Sequence, residues 1–141
     1  MIARIRDLFA NQAGTTAVEF AFVVGPLVLL LMGGIEFGRM VYTRQALSET
    51  AIATARCIKI GQAGCTSGGS YSASASRDYA RAQASRWFVA LQTSEVVVDD
   101  DTTCGGVSGF AAVTITHDFQ TALPFIGDLA NLTTLQTSAC F

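Results

Sequence analysis

The stretch FAFVVGPLVLLLMGGI, residues 20–35, runs for sixteen residues without a charge. Counted back to Thr15, the apolar stretch is about 21 residues, which at ~1.5 Å per residue spans ~31 Å, one hydrocarbon core. The whole chain is 50% hydrophobic and 14% charged, with a mean hydropathy of +0.41. That apolar excess is concentrated here, near the N-terminus, so it points to a membrane segment rather than to a large soluble core.

The flanks set a direction. Arg4 and Arg6 precede the run and, by the positive-inside tendency, place the N-terminus in the cytoplasm. Arg39, Arg44 and Arg56 on the other side weaken that assignment. A secretory signal peptide also starts basic and turns apolar, but three features oppose it. The run exceeds the ~7–15 residues of a signal's apolar region. Thirteen residues, Asp7 and Glu19 among them, separate Arg6 from Phe20, and the run continues as IEFGRM with no small-x-small site. Within the run, Gly25 and Pro26 predict a kink or a short unwound stretch near residues 23–26. Gly34 and Gly38 form a small-xxx-small spacing through which another helix can approach closely.

Beyond the run, EFGRMVYTRQALSETAIATARCIK, residues 36–59, has no proline and one glycine and is rich in Ala, Arg, Leu and Glu. One helix of about 45 residues is expected, half in lipid and half in water. Tyr42, Ala46, Leu47, Ala51, Ala53 and Ala55 supply a small, apolar side for packing on a domain. Glu36, three residues before Arg39, is expected to mark the outer membrane edge as an exposed pair.

Just ahead of the apolar run stands NQAGTTAVEF, residues 11–20, with a carboxylate, Glu19, five residues after Gly14. A leader ending in glycine, a glutamate at the fifth position and then an apolar helix is similar to a type IV prepilin processing region. More closely, the sequence from Gly14 to Arg56 resembles the N-terminal region of TadE-like pseudopilins of the tight-adherence (Tad) pilus system. Those read G-x-x-A-V-E-F-A, an apolar run with an early proline, then I-E-x-G-R and an alanine-rich extension. Here Ala17, Val18, Glu19, Phe20, Ala21, Pro26, Glu36, Gly38 and Arg39 stand in the matching positions. A looser likeness covers VTITHDFQTALPFIG and LTTLQTSACF near the end.

The resemblance implies that a prepilin peptidase cuts between Gly14 and Thr15, and that Glu19, with Phe20 beside it, is kept for assembly. It implies as partners the peptidase, other pilins or pseudopilins through the helix, the Tad inner-membrane assembly platform and the lipid bilayer. The cut would create an ammonium at Thr15, about one helical turn from Glu19. Pairing with that ammonium, or with one on a neighbouring subunit, would offset the ~2.5–3.5 kcal/mol that an acid costs at a bilayer's centre. The alternative is that Glu19 merely marks the lipid boundary.

After Ile60 the composition shifts. GQAGCTSGGSYSASA, residues 61–75, reads as a Gly/Ser-rich loop. Residues 76–92 read as a helix capped by Ser76, with Tyr79, Ala80, Ala84, Trp87, Phe88 and Leu91 on its core side. SEVVVD is a short strand that the acidic DDDTTCGG turns around. FAAVTITHDF alternates, with Val113, Ile115 and His117 on one face. ALPFIGDLANL makes an excursion, and LTTLQTSACF is a last strand. The expected fold is α+β and pilin-like: a long N-terminal helix carrying a small domain of one helix and about three antiparallel strands. The expected divisions are a leader at 1–14, a transmembrane helix at 15–36, its extension at 37–60, the loop at 61–75 and a periplasmic domain at 76–141.

Four cysteines without a CxxC pair, beyond a membrane segment, read as two disulfides in an oxidising compartment. Three connectivities are possible. Cys57–Cys65 would tie the loop to the helix end, and Cys104–Cys140 is favoured as the second. Free buried thiols are the alternative. One histidine, His117, argues against a zinc site, and no nucleophile or phosphate loop is marked, so neither an enzyme nor a cofactor is expected. Asp99, Asp100 and Asp101 could hold calcium but lack alternating ligand spacing, so an exposed acidic turn is preferred. Scattered basic residues and a net charge of -2 give no nucleic-acid surface. Two readings of function remain: a processed minor pilin or pseudopilin, in the bacterial inner membrane with its C-terminal domain in the periplasm, or an unprocessed single-pass protein with a periplasmic partner-binding domain.

Overall fold

The computed structural model describes residues 15–121 and 133–141, with the side chains of residues 15 and 16 left aside. The expected excursion over ALPFIGDLANL, residues 122–132, lies outside the described residues. The architecture is α+β. A first helix, α1 (Thr15–Lys59), is 45 residues long. It is followed by a small hairpin, β1 (Thr66–Ser67) and β2 (Ser70–Tyr71), and by α2 (Ala73–Arg86). A 3-10 turn (Thr93–Glu95) then leads into β3 (Val96–Cys104), β4 (Val107–Asp118) and β5 (Thr134–Cys140). The chain divides into two compact units, Met1–Phe37 and Gly38–Phe141.

In the second unit a three-stranded antiparallel sheet has the order β3-β4-β5. Its register puts Val96 opposite Ile115, Val98 opposite Val113, and Val113 opposite Ala139. Residues directly opposite share a face, so Val96, Ala111, Val113, Ile115 and Leu135 form one buried surface. His117, opposite Leu135, lies at the margin of that surface, where its Nδ1 is 2.8 Å from Glu95 Oε1. Glu95 Oε2 accepts from the Gln92 amide at 2.6 Å, so one carboxylate closes the 3-10 turn and fixes the histidine.

The helical side of the core is a stripe on α1: Ala46, Leu47, Thr50, Ala51, Thr54, Ala55, Cys57 and Ile58 are buried. The spacing is that of one face of a 3.6-residue helix. Tyr42 and Ala53, expected on this side, lie off it, exposed and half-buried. Two threonines take part instead, because their hydroxyls donate within the helix: Thr50 to Ala46 O at 2.8 Å and Thr54 to Thr50 O at 2.7 Å. Their methyl groups are then free to pack. Alanines at 46, 51, 55, 80 and 84 keep both helices slim where they join the core.

Glycine pairs make both hairpins. Gly105 and Gly106 have φ of 60° and 87° between Cys104 and Val107, and Gly68 and Gly69 have 60° and 84° between Ser67 and Ser70. Two successive positive φ values are what a two-residue turn between twisted strands needs. This corrects two expectations. The segment 61–75 is not a plain loop, since it holds the β1–β2 hairpin. The acids Asp99, Asp100 and Asp101 do not form the turn but lie exposed within β3, whose pairing is irregular between Asp99 and Thr102.

The second helix also differs from expectation. It starts at Ala73 because Ser72, in extended conformation, accepts from the Ala75 amide at 3.4 Å. Ser76, expected as the cap, is buried one turn inside, donating to Ser72 O at 2.9 Å. The helix stops at Arg86 rather than near residue 92. Phe88 takes a left-handed backbone with φ 59°, and the Val89 amide turns back to Ala84 O at 3.1 Å. Leu91 therefore reaches the core from the segment after the helix, whereas Trp87 and Phe88, expected in the core, are 42% and 94% exposed.

Two disulfides staple the second unit. Cys57–Cys65 joins the last turn of α1 to the β1 side of the loop, and Cys104–Cys140 joins the ends of β3 and β5. Gly64 has to be a glycine here, since a Cβ would stand 2.7 Å from Tyr79 Cδ2.

Candidate assembly site on the first helix

The residues that the sequence singles out for function gather on α1. Gly14 lies outside the described residues, and Thr15, the first described residue, is helical. Glu19 follows four residues later, hence one turn on and on the same side. It is exposed, and among the described residues it has no hydrogen-bond or ion-pair partner. Phe20 beside it is 66% exposed.

Apolar side chains point outward all round this part of the helix. Val18, Phe22, Val23, Leu27, Leu29, Leu30, Leu31 and Ile35 are all exposed. The most apolar 18-residue window has a mean hydropathy of 2.2, and none of it is buried within the chain. A helix that is apolar on every side and covered by nothing of its own needs an apolar surrounding, either a bilayer or other helices. By length and composition it is a candidate membrane span. Ala17 and Ala21, with Val18 and Phe22, leave a shallow apolar notch on its first turns.

Gly25 and Pro26 do not unwind the helix, which stays α-helical from Thr15 to Lys59. Proline removes one amide donor, a loss that membrane helices tolerate by local adjustment. At Gly25, Gly33, Gly34 and Gly38 an added Cβ would meet nothing within 4 Å, so each presents bare backbone. Glu36 is buried, with 8% exposure, rather than exposed at a boundary as the sequence suggested. It is engaged rather than free, as an acid must be to be buried at bearable cost.

The other singled-out residues do not join this site. Both cystine bridges serve the second unit, and His117 is held by Glu95. The carboxylates of the Asp99–Asp101 run are exposed, and Asp99 Oδ1 accepts from the Asp101 amide at 3.2 Å. Among the described residues, no group of three or more His, Cys, Asp or Glu is placed to hold a metal ion. Sequence periodicity missed the exposed aromatic pair at 87 and 88.

Neither a curated protein nor a solved structure matches the chain. One family model does, described as TadE-like protein, over residues 14–56. It starts at the glycine of the expected cut and ends three residues before the end of α1. Over that segment, about the first third of the chain after its first thirteen residues, the chain is similar to TadE-like proteins.

Proposed function

We propose that the chain is a minor pilin or pseudopilin that supports assembly of a Tad pilus, and that a prepilin peptidase cuts it between Gly14 and Thr15. One observation carries this reading: a helix, described from Thr15 on, whose first part is apolar on all sides and bears one exposed acid, Glu19, that has no partner among the described residues. The family match beginning at Gly14 supports it.

The chemistry runs as follows. Glycine offers the protease an unobstructed backbone at the scissile bond. Cleavage gives Thr15 an ammonium close to Glu19. In a bundle of such helices the carboxylate pairs with that group or with the same group of a neighbour, and an apolar surrounding strengthens the pairing. A charge that is costly to one helix thereby favours a fixed register between helices. The bare backbone at Gly34 and Gly38 admits a close helical neighbour. The protein acts as a structural subunit rather than an enzyme. It is held in the bacterial inner membrane with its N-terminus cytoplasmic and its second unit periplasmic, where an oxidising environment maintains both disulfides. Its partners are other pilins, the peptidase and the inner-membrane assembly platform.

The test is N-terminal sequencing of the mature protein extracted from host membranes. A chain starting at Thr15 is expected, and Gly14→Leu should leave the longer, uncut form. A mature chain that keeps its leader sinks the reading and leaves an unprocessed membrane-anchored protein in its place.

A further inference from the structure

Trp87 and Phe88 are spent on the surface, and the backbone is arranged to put them there. The last turn of α2 closes through the Trp87 amide to Ala84 O at 3.0 Å and the Phe88 amide to Ser85 O at 3.1 Å. Phe88 then occupies the left-handed position that usually falls to glycine, at a cost of about 1–3 kcal/mol for a residue with a Cβ. Its ring gains no packing in return, being 94% exposed. Trp87 is steadied by Tyr42, whose hydroxyl donates to Trp87 O at 3.4 Å and whose ring meets the indole edge-on at 6.5 Å. Tyr42 is itself half exposed.

Phe88 separates two shallow hollows of about 360 and 220 Å³. Gly38, Tyr42 and Trp87 line the first, His117 and Phe119 the second, and Arg39 borders both. Among the described residues no carboxylate lines either hollow, although Glu95 bonds His117 beside the second. Gly38 follows the uncharged run 20–35 by three residues in sequence. The patch therefore combines Trp, Tyr and Phe with a guanidinium, and includes a residue that follows the uncharged run closely in sequence.

We propose that Tyr42, Trp87 and Phe88 form an interfacial anchor that rests in the headgroup layer of the bilayer. Amphipathic aromatic rings favour that layer, and arginine beside them suits anionic lipid phosphates. Phe88 enters the boundary of the acyl chains, which accounts for a strained residue whose side chain is almost wholly exposed. The anchor fixes how the second unit meets the membrane surface, a role separate from the processing and pairing assigned to Gly14 and Glu19. It rests on α1 spanning the membrane.

Trp87 is the sole tryptophan, so its fluorescence reports on the patch alone. The full chain would be reconstituted into vesicles of phosphatidylcholine and phosphatidylglycerol and recovered by flotation. The emission of Trp87 is expected to lie at shorter wavelength than in Phe88→Gly. It should lose more intensity to lipids labelled near the headgroup than to lipids labelled deep in the chain, and little to aqueous iodide. Phe88→Gly removes the ring and the strained residue together, so it should fold at least as stably, and its Trp87 should lose more intensity to iodide. Iodide quenching without lipid quenching, in chains that float with the vesicles, overturns the proposal and leaves the patch to a protein partner. Quenching that changes with the protein-to-lipid ratio points to a second copy and overturns it too. Failure to float overturns both the anchor and the membrane span.

Discussion

The two parts of α1 are built from one secondary structure and opposite surroundings. Up to Phe37 the helix carries Leu, Val and Phe outward on all sides, and none of its most apolar window is buried. From Gly38 the same helix buries a stripe of Ala, Thr, Leu and Cys almost completely and turns Arg44, Glu49, Arg56 and Lys59 outward, with Val41 and Ile52 half exposed among them. Leu30 is 71% exposed and Leu47 is 1% exposed. Helix propensity does not separate them. The first part is selected by the solvent around it, the second by the fit of small side chains against a sheet.

The sharpest break of this comparison is at Glu19, the one acid in the outward-facing part before Glu36. Glu19→Ala is expected to insert into membranes at least as well as the natural chain, yet to abolish piliation in cells; wild-type piliation would reduce Glu19 to a boundary marker. Next comes the leucine pair. Leu47→Ala should destabilise the second unit by about 2–5 kcal/mol, as deletions in tight cores do, measured by urea unfolding of the detergent-solubilised chain. Leu30→Ala should leave the same transition in place within about 0.5 kcal/mol. Equal effects would mean that the two parts are not independent environments.

Gly64→Ala tests the close approach of the loop to α2. It should cost about 1–3 kcal/mol, since Tyr79 must move, and Tyr79→Ala in the same chain should relieve most of that loss. The smallest effect belongs to Tyr71. Burial first, and then the charges of Asp100 and Asp99, raise its phenol above the ordinary value, against the opposing pull of Arg77. The folded state therefore holds the phenolic proton more tightly than the unfolded chain does. Its contribution is complete below about pH 10 and is lost as pH rises through the higher folded value. Alkaline unfolding of Tyr71→Phe should lack that part of the slope, and Asp100→Asn should reduce it.

The length of α1 could be read from sequence because an uncharged run joins a segment with few breakers, while Gly25 and Pro26 suggested an interruption that the helix does not have, and the alternation in β4 showed which face is buried. The places that misled share a cause. Glycine pairs at 68–69 and 105–106 are strong turn signals, but the acids before the second pair drew attention to composition instead of to φ. At Trp87 and Phe88 the apolar spacing continued a helical pattern, and no glycine announced the left-handed residue that ends the helix. Nor does spacing show that Thr50 and Thr54 can enter a core, since this depends on hydroxyls finding carbonyls one turn back. At the site itself, the residue pattern located Glu19 and Gly14, while the absence of any partner for Glu19 within the described residues needed coordinates.

The bridge between Cys104 and Cys140 also has a mechanical consequence. It holds Cα atoms 36 residues apart in sequence at 6.4 Å. Drawn out, that much chain would reach about 120 Å. A subunit tethered at one end and loaded at the other would, without the bridge, lengthen by that amount once its sheet tore. With it, β4 and most of β5 lie inside a closed ring through which the tension does not pass. The load goes through the sulfur bond, and the yielding length of the subunit is cut to the segments outside the ring.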